Sequence, residues 1–271
     1  MVRGPLLALL CWGAFHAFGA TDWYALGTQQ FSAREFVQAE NSFQQAIAAG
    51  QNPAESYKSL GRAQLELKKY NEAYRAWLKA EALDPKDSQI KYYLGRLFYE
   101  ADLPNEAAAW FRQALALAPH HFAAMTYLGL SAEALSYPDV ALKLYRNAIA
   151  ESIAAHTPYS WAFLSLGKLL QKRGEADEAF RILEQGAREC PEPHELSAFG
   201  QLLLTRNQRD RAEHVFRQAI ALDPSLSEAH YRLALLLESK GRSEEANTEL
   251  EAFQKAKQQE QQVAKITALR K

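Results

Sequence analysis

The densest group of chemistry-bearing residues in the sequence is Glu189, Cys190, Glu192, His194 and Glu195. A thiolate, an imidazole and carboxylates are the donor types that hold a soft or borderline metal ion. No CxxC or HExxH spacing accompanies them, so the group reads as a polar turn that contains a lone thiol. His120 and His121 directly follow Pro119 and read as solvated side chains in a connection. A GxxxxGK phosphate loop, a GxSxG elbow and paired CxxC motifs are all missing, which removes the common nucleotide, acyl-transfer and zinc chemistries. The expectation is a protein that is not an enzyme and carries no cofactor or metal.

Whatever site exists must be positioned by the elements around it, and these announce themselves by repetition. Gly27, Gly61, Gly95, Gly129, Gly167 and Gly200, followed by Ala234, stand 34, 34, 34, 38, 33 and 34 residues apart. Twelve residues after each comes an alanine: Ala39, Ala73, Ala107, Ala141, Ala179, Ala212 and Ala246. Four further on comes a bulky residue: Phe43, Trp77, Phe111, Tyr145, Leu183, Phe216 and Leu250. Glycine inside a helix costs about 1 kcal/mol against alanine, so its recurrence predicts that a second backbone approaches there. Twelve residues suit a helix, a short turn and the start of an antiparallel second helix, so each period predicts one helix pair. Asn71, Asn105, Asp139, Asp177 and Asp210 read as N-caps of the second helices. Pro85, Pro119, Pro191 and Pro224 then end those helices or open the next.

These residues resemble the tetratricopeptide repeat family, whose pattern is met by Tyr57, Leu60-Gly61, Ala73, Trp77 and Pro85, and again by Leu94-Gly95, Phe98, Ala107, Phe111 and Pro119. The resemblance covers about residues 20–258. It implies an all-α, right-handed superhelical solenoid of about seven antiparallel helix pairs with a C-terminal capping helix. The repeats are expected at about 20–53, 54–87, 88–121, 122–159, 160–192, 193–226 and 227–258, with a helical extension over 259–271. Gln51, Ile153 and Gln258 depart from the pattern where proline is expected, and Gly186 replaces an alanine. The four extra residues between Gly129 and Gly167 predict one more turn on the second helix of the fourth repeat. Thr157 would then be the N-cap, and Pro158 the first residue, of the helix that follows. Ser243 to Lys271 predicts one long helix, with Val263, Ile266 and Leu269 covering the open end of the array.

The resemblance also implies that the first helix of each pair lines a concave groove where extended peptides or partner helices bind. The register places Tyr24, Lys58, Arg62, Tyr92, Arg96, Tyr99, Trp161, Lys168, Lys172 and Tyr231 on that side. Lys58 with Arg62, and Tyr92 with Arg96 and Tyr99, share helix faces, and the second and third repeats are expected to join them into one patch. Guanidinium groups beside tyrosine rings suit a carboxylate-bearing or aromatic peptide. The same charges also fit ordinary helix-surface pairs, Arg62 with Glu66 and Arg96 with Glu100. Arg62 and Tyr93 stand where the family's chaperone-binding carboxylate clamp needs asparagines, which argues against a chaperone adaptor.

The N-terminus differs in kind from the rest. Met1-Val2-Arg3 is a positive stub, Leu6 to Phe15 an apolar run, and Ala17 and Gly19 are small residues before a cut. Residues 1–19 read as a secretory signal cleaved near Gly19, the alternative being an uncleaved membrane anchor over residues 4–20. Cleavage would leave Cys190 as the sole cysteine, so packing rather than a disulfide must stabilise the chain. The chain's 31 Lys and Arg against 32 Asp and Glu give a net charge of −1, with no general attraction to nucleic acid or an anionic membrane surface. Val, Ile and Thr are 19 of 271 residues, too few for a large sheet. The function expected is an exported interaction scaffold, periplasmic or secreted, with a protein or peptide partner. The resemblance implies bacterial cell-envelope assembly. A membrane-anchored assembly factor, and an enzyme or metal-binding protein without a recognisable motif, are the alternatives.

Overall fold

The computed structural model describes residues 21–269, with side chains through residue 262. The expected signal segment, and the side chains of Val263, Ile266 and Leu269, lie outside the described residues. Fourteen helices and no strand make up what is described. The chain divides into two compact units, Met1–Pro85 and Lys86–Lys271. The first holds α1 (Trp23–Ser32), α2 (Phe36–Ala48), α3 (Pro53–Glu66) and α4 (Tyr70–Leu83). The second holds α5 (Ser88–Glu100), α6 (Pro104–Leu117), α7 (Phe122–Ala134), α8 (Pro138–Ala154) and α9 (Ser160–Lys172). It continues with α10 (Ala176–Glu189), α11 (Pro193–Thr205), α12 (Arg209–Leu222), α13 (Ser227–Ser239) and α14 (Ser243–Leu269). Each unit is a stack of helix pairs, a first helix followed by a second. Among the described residues no helix is long and apolar enough to cross a membrane.

Each pair is folded back by the same three-residue turn. Its middle residue is left-handed: Arg34, Lys68, Asp102, Ser136, Gly174, Asn207 or Gly241. The amide that follows donates to the carbonyl five residues back, as in Leu103 to Phe98 at 2.9 Å and Tyr137 to Ala132 at 2.8 Å. This bond satisfies a carbonyl that the helix end leaves orphaned and sets the reversal of direction.

The seam inside each pair shows what the recurring small residues do. A Cβ on Gly95 would lie 2.6 Å from Phe111, one on Gly129 2.5 Å from Tyr145, and one on Gly200 2.6 Å from Phe216. Glycine therefore makes room for the bulky side chain of the facing helix, not for its backbone as the spacing alone predicts. The alanine beside each ring is fully buried, Ala107, Ala141 and Ala212 among them.

Two expectations need correcting. Asn71, Asn105, Asp139, Asp177 and Asp210 are second residues of their helices; the cap positions are Lys69, Leu103, Tyr137, Glu175 and Gln208, none with a side-chain cap bond. The three aspartates instead pair with the residue just past the first helix of the next repeat. Asp139 meets Arg173 at 2.6 Å, Asp177 meets Arg206, and Asp210 meets Lys240 at 2.6 Å. Second, α8 does carry the extra turn, with 17 residues against 14 in α6, but Thr157 does not cap the next helix. Its amide donates to Ser152 at 3.0 Å and closes α8 around left-handed His156, and α9 starts at Ser160 behind Tyr159. The first repeat, which also lacks the proline, ends the same way at Gly50 and Gln51. As expected, α14 is one long helix that runs unbroken past residue 258, held to α13 by Ser227 donating to Glu260 at 2.7 Å.

Candidate functional site

In the second unit the first helices α5, α7 and α9 lie side by side. Helix α9 buries Phe163, Leu166, Gly167 and Leu170, which turns Trp161, Lys168 and Lys172 to the opposite, open face. There a cleft of 370 Å³ opens between Tyr99 of α5, Leu130 and Glu133 of α7, and Trp161, Leu164, Ser165, Lys168 and Lys172 of α9. Trp161 leaves 48% of its surface exposed, whereas the repeat-phase rings Trp77, Phe111 and Tyr145 leave none.

The polar groups of the cleft are unequally engaged. Glu133 accepts from the buried Tyr145 hydroxyl at 2.7 Å through one oxygen and from Lys172 at 3.2 Å through the other. Burial, then the Glu133 carboxylate, pushes the Tyr145 hydroxyl far above the usual phenol range. Burial and the neighbouring Tyr127 likewise raise Tyr99. Lys168 is exposed and has no ion-pair partner among the described residues. One ammonium is thus neutralised and one left over, beside an uncovered indole.

Of the ten residues expected on the groove, the structure brings Tyr99, Trp161, Lys168 and Lys172 together at this cleft. Tyr92 is only 9% exposed, a correction to its place on the open side. It packs against Phe111, His121 and Tyr127, and burial raises its hydroxyl far beyond the phenol range. The Arg96 guanidinium lies over the Tyr127 ring, 5.6 Å from its centre. Tyr231 of α13 packs against Phe253 of α14 with tilted rings whose centres are 5.2 Å apart. In the first unit Tyr24 packs against Phe43, Lys58 pairs with Glu55 at 2.7 Å and Arg62 lies over Phe31 at 4.5 Å. The arginines of the expected patch therefore sit on rings of their own chain.

The other chemistry-bearing groups resolve into structure. The Cys190 thiol is pushed up to about 11 by burial and by Glu195, Glu192 and Glu189, so it stays protonated and unreactive at neutral pH. Among the described residues no three His, Cys, Asp or Glu are placed to hold a metal ion. His121 is half-buried and caps α7, its Nδ1 accepting from the Ala124 amide at 3.2 Å, so it is no solvated side chain. Exposed His120 pairs with Glu151 at 2.9 Å.

A stack of helix pairs with an open cleft on a first-helix face is the architecture of a repeat-built interaction protein. The chain belongs to the tetratricopeptide repeat family, whose sequence profile matches residues 24–88, 60–122, 92–158 and 197–261. Such proteins are generally non-enzymatic scaffolds that bind protein or peptide partners. No curated protein matches the sequence. Solved structures similar in fold include a chain of the APC/C hetero-tetramer Cut9-Hcn1, at 17% identity and TM-score 0.66 over 79% of this chain and 42% of that one. Yeast Tom70 matches at 19% and 0.69, over 92% of this chain and 53% of that one. A tetratricopeptide repeat protein from Parabacteroides merdae matches at 18% and 0.61, over 91% and 97%. The chain spans less than half the length of the first and about half that of the second.

Proposed function

We propose that this protein is an exported scaffold that binds a protein or peptide segment across α5, α7 and α9, with Trp161 as its anchor. The observation that carries the reading is the cleft itself. Tryptophan and tyrosine dominate interface hot spots, and here an indole with half its surface uncovered faces Tyr99 across an open groove. Export is supported by the Arg3 stub, the Leu6 to Phe15 run and the small residues Ala17 and Gly19. The place we assign it is bacterial cell-envelope assembly, a reading supported by the family resemblance taken together with export.

Replacing Trp161 by a photo-cross-linking amino acid, with the same replacement at exposed Gln113 of α6 as control, tests the binding reading in the native compartment. A discrete adduct is expected from position 161 and none from 113. Trp161→Ala should weaken capture of that partner at least about tenfold, the loss typical of a hot spot. Adducts of equal yield from both positions would remove the cleft as the site. N-terminal sequencing of the exported chain should begin close to Ala20.

A further inference from the structure

Resting on the binding reading above, we infer that the cleft selects a partner segment in which a large apolar or aromatic side chain is followed two residues later by an aspartate or glutamate. The apolar side chain covers Trp161 and the carboxylate pairs with Lys168.

The unequal engagement of the polar groups carries this. Lys172 is held by Glu133, and the second oxygen of Glu133 is taken by the Tyr145 hydroxyl. A ligand anion at Lys172 would face that carboxylate at close range and be repelled, so Lys168 is the one cationic centre open to a ligand. A single ammonium suits a single carboxylate side chain. A chain-terminal carboxylate is normally fixed by several donors at once, and Ser165, the other hydroxyl-bearing residue on this stripe, is buried, with only 5% of its surface exposed.

The spacing follows from helix geometry. Trp161 and Lys168 are seven residues apart, two turns of α9, so their backbones stand about 10 Å apart along the axis. Side chains two residues apart on one side of an extended segment are separated by about 6.6 Å. The lysine stem spans the remainder, because its four carbons let the ammonium reach back toward Trp161 while staying in water. A cleft of 370 Å³ has room for two such side chains and not for a folded surface. Leu130 and Leu164 add apolar lining beside Trp161, and the ammonium groups of Lys168 and Lys172 repel a lysine or arginine at the anchor position.

The test uses the full purified chain and four fluorescein-labelled peptides read by fluorescence polarisation. The first is a Gly/Ser-flanked Phe-Ala-Glu core with an amidated C-terminus. In the second Gln replaces Glu; in the third Ala replaces Phe. The fourth is the Phe-Ala-Gln core ending in a free carboxylate. The first is expected to bind, with the other three at least about tenfold weaker. Lys168→Gln should bring the first peptide down to the level of the second without weakening the second further, a coupling that a merely structural lysine would not produce. The melting temperature of that variant should be unchanged.

Equal binding of the Glu and Gln peptides, tighter binding of the free-carboxylate peptide, or no binding of any peptide up to about 1 mM would each overturn the inference. If the Trp161 adduct still forms in those cases, the scaffold reading stands and only the acidic chemistry falls. If no adduct forms, both fall.

Discussion

The cleft on α9 and the ion-pair column of α12 to α14 are built from the same residue types and behave oppositely. In the column Glu213 accepts from Lys240 at 2.8 Å, Arg242 at 2.7 Å and Arg217 at 3.2 Å. Glu245 takes Arg217 at 3.0 Å and Arg242 at 2.7 Å, and Lys240 also reaches Asp210 at 2.6 Å. Burial alone would raise the Glu213 carboxyl, but the bonds from Lys240, Arg242 and Arg217 outweigh it and hold it at about 2. Every one of these charges is spent on the neighbouring repeat. In the cleft, Lys168 is not. Charge density therefore does not single out the proposed site; what does is an exposed ammonium without an ion-pair partner among the described residues, beside an uncovered ring.

The largest expected effect undermines the cleft from below. In Gly129→Leu the new side chain meets the Tyr145 ring, whose hydroxyl positions Glu133. Overpacking costs about 1–3 kcal/mol and leaving glycine returns under about 1 kcal/mol of helix propensity, so a net loss of roughly 1–2 kcal/mol is expected in urea melts. Peptide binding should fall with it. An unchanged midpoint would mean that α7 and α8 are not packed through this seam.

Glu213→Gln separates the two regions the other way, lowering stability by under about 1 kcal/mol, since the network is partly screened, while leaving peptide binding untouched. It should also change the acid limb. The folded Glu213 carboxyl lies at about 2, below the roughly 4.3 of an unfolded glutamate. Its contribution is therefore complete above about pH 4.3 and lost as pH falls toward 2. The melting temperature of the wild type should drop more steeply than that of Glu213→Gln across that window. Parallel acid limbs would show that the column contributes nothing.

The smallest effect belongs to the exposed inter-repeat pairs. The Asp139 carboxylate is 82% exposed, so Asp139→Asn should leave the melting temperature unchanged within error and binding intact. A clear shift would mean that the aspartate and arginine pairs, and not the apolar seam, hold successive repeats together.

The seam was legible in the sequence because its three parts, small residue, alanine and ring, are each a fixed residue type at a fixed offset. Asp139, Asp177 and Asp210 were misread as caps because their partners, Arg173, Arg206 and Lys240, belong to the following repeat and no local spacing announces them. Tyr92 sits on a first helix like Tyr99, and only the rings of His121 and Tyr127 decide that it is covered. Glu133 was missed although a signal existed. Tyr145 carries a hydroxyl at a position filled elsewhere by Phe, Trp or Leu, and a hydroxyl buried with its ring needs an acceptor. Trp161, Lys168 and Lys172 share a stripe readable from their spacing, but the cleft they form needs Tyr99 and Glu133 from two other helices.

The column of left-handed turns bears on the order in which the chain acquires its structure. An array of repeats can begin folding at any repeat and zip outward, and its contacts are close in sequence, which favours rapid folding. The lowest barrier falls where a turn closes with least resistance. Five of the seven turns place a side chain in the left-handed region, at a cost of about 1 kcal/mol each. Gly174 and Gly241 avoid it. The first of these glycines closes α9 against α10, so the helix that carries Trp161 and Lys168 belongs to one of the two hairpins best placed to nucleate. The face of α9 is then among the earliest parts of the molecule to be formed, and the proposed cleft is completed only when α5 and α7 bring Tyr99 and Glu133 to it.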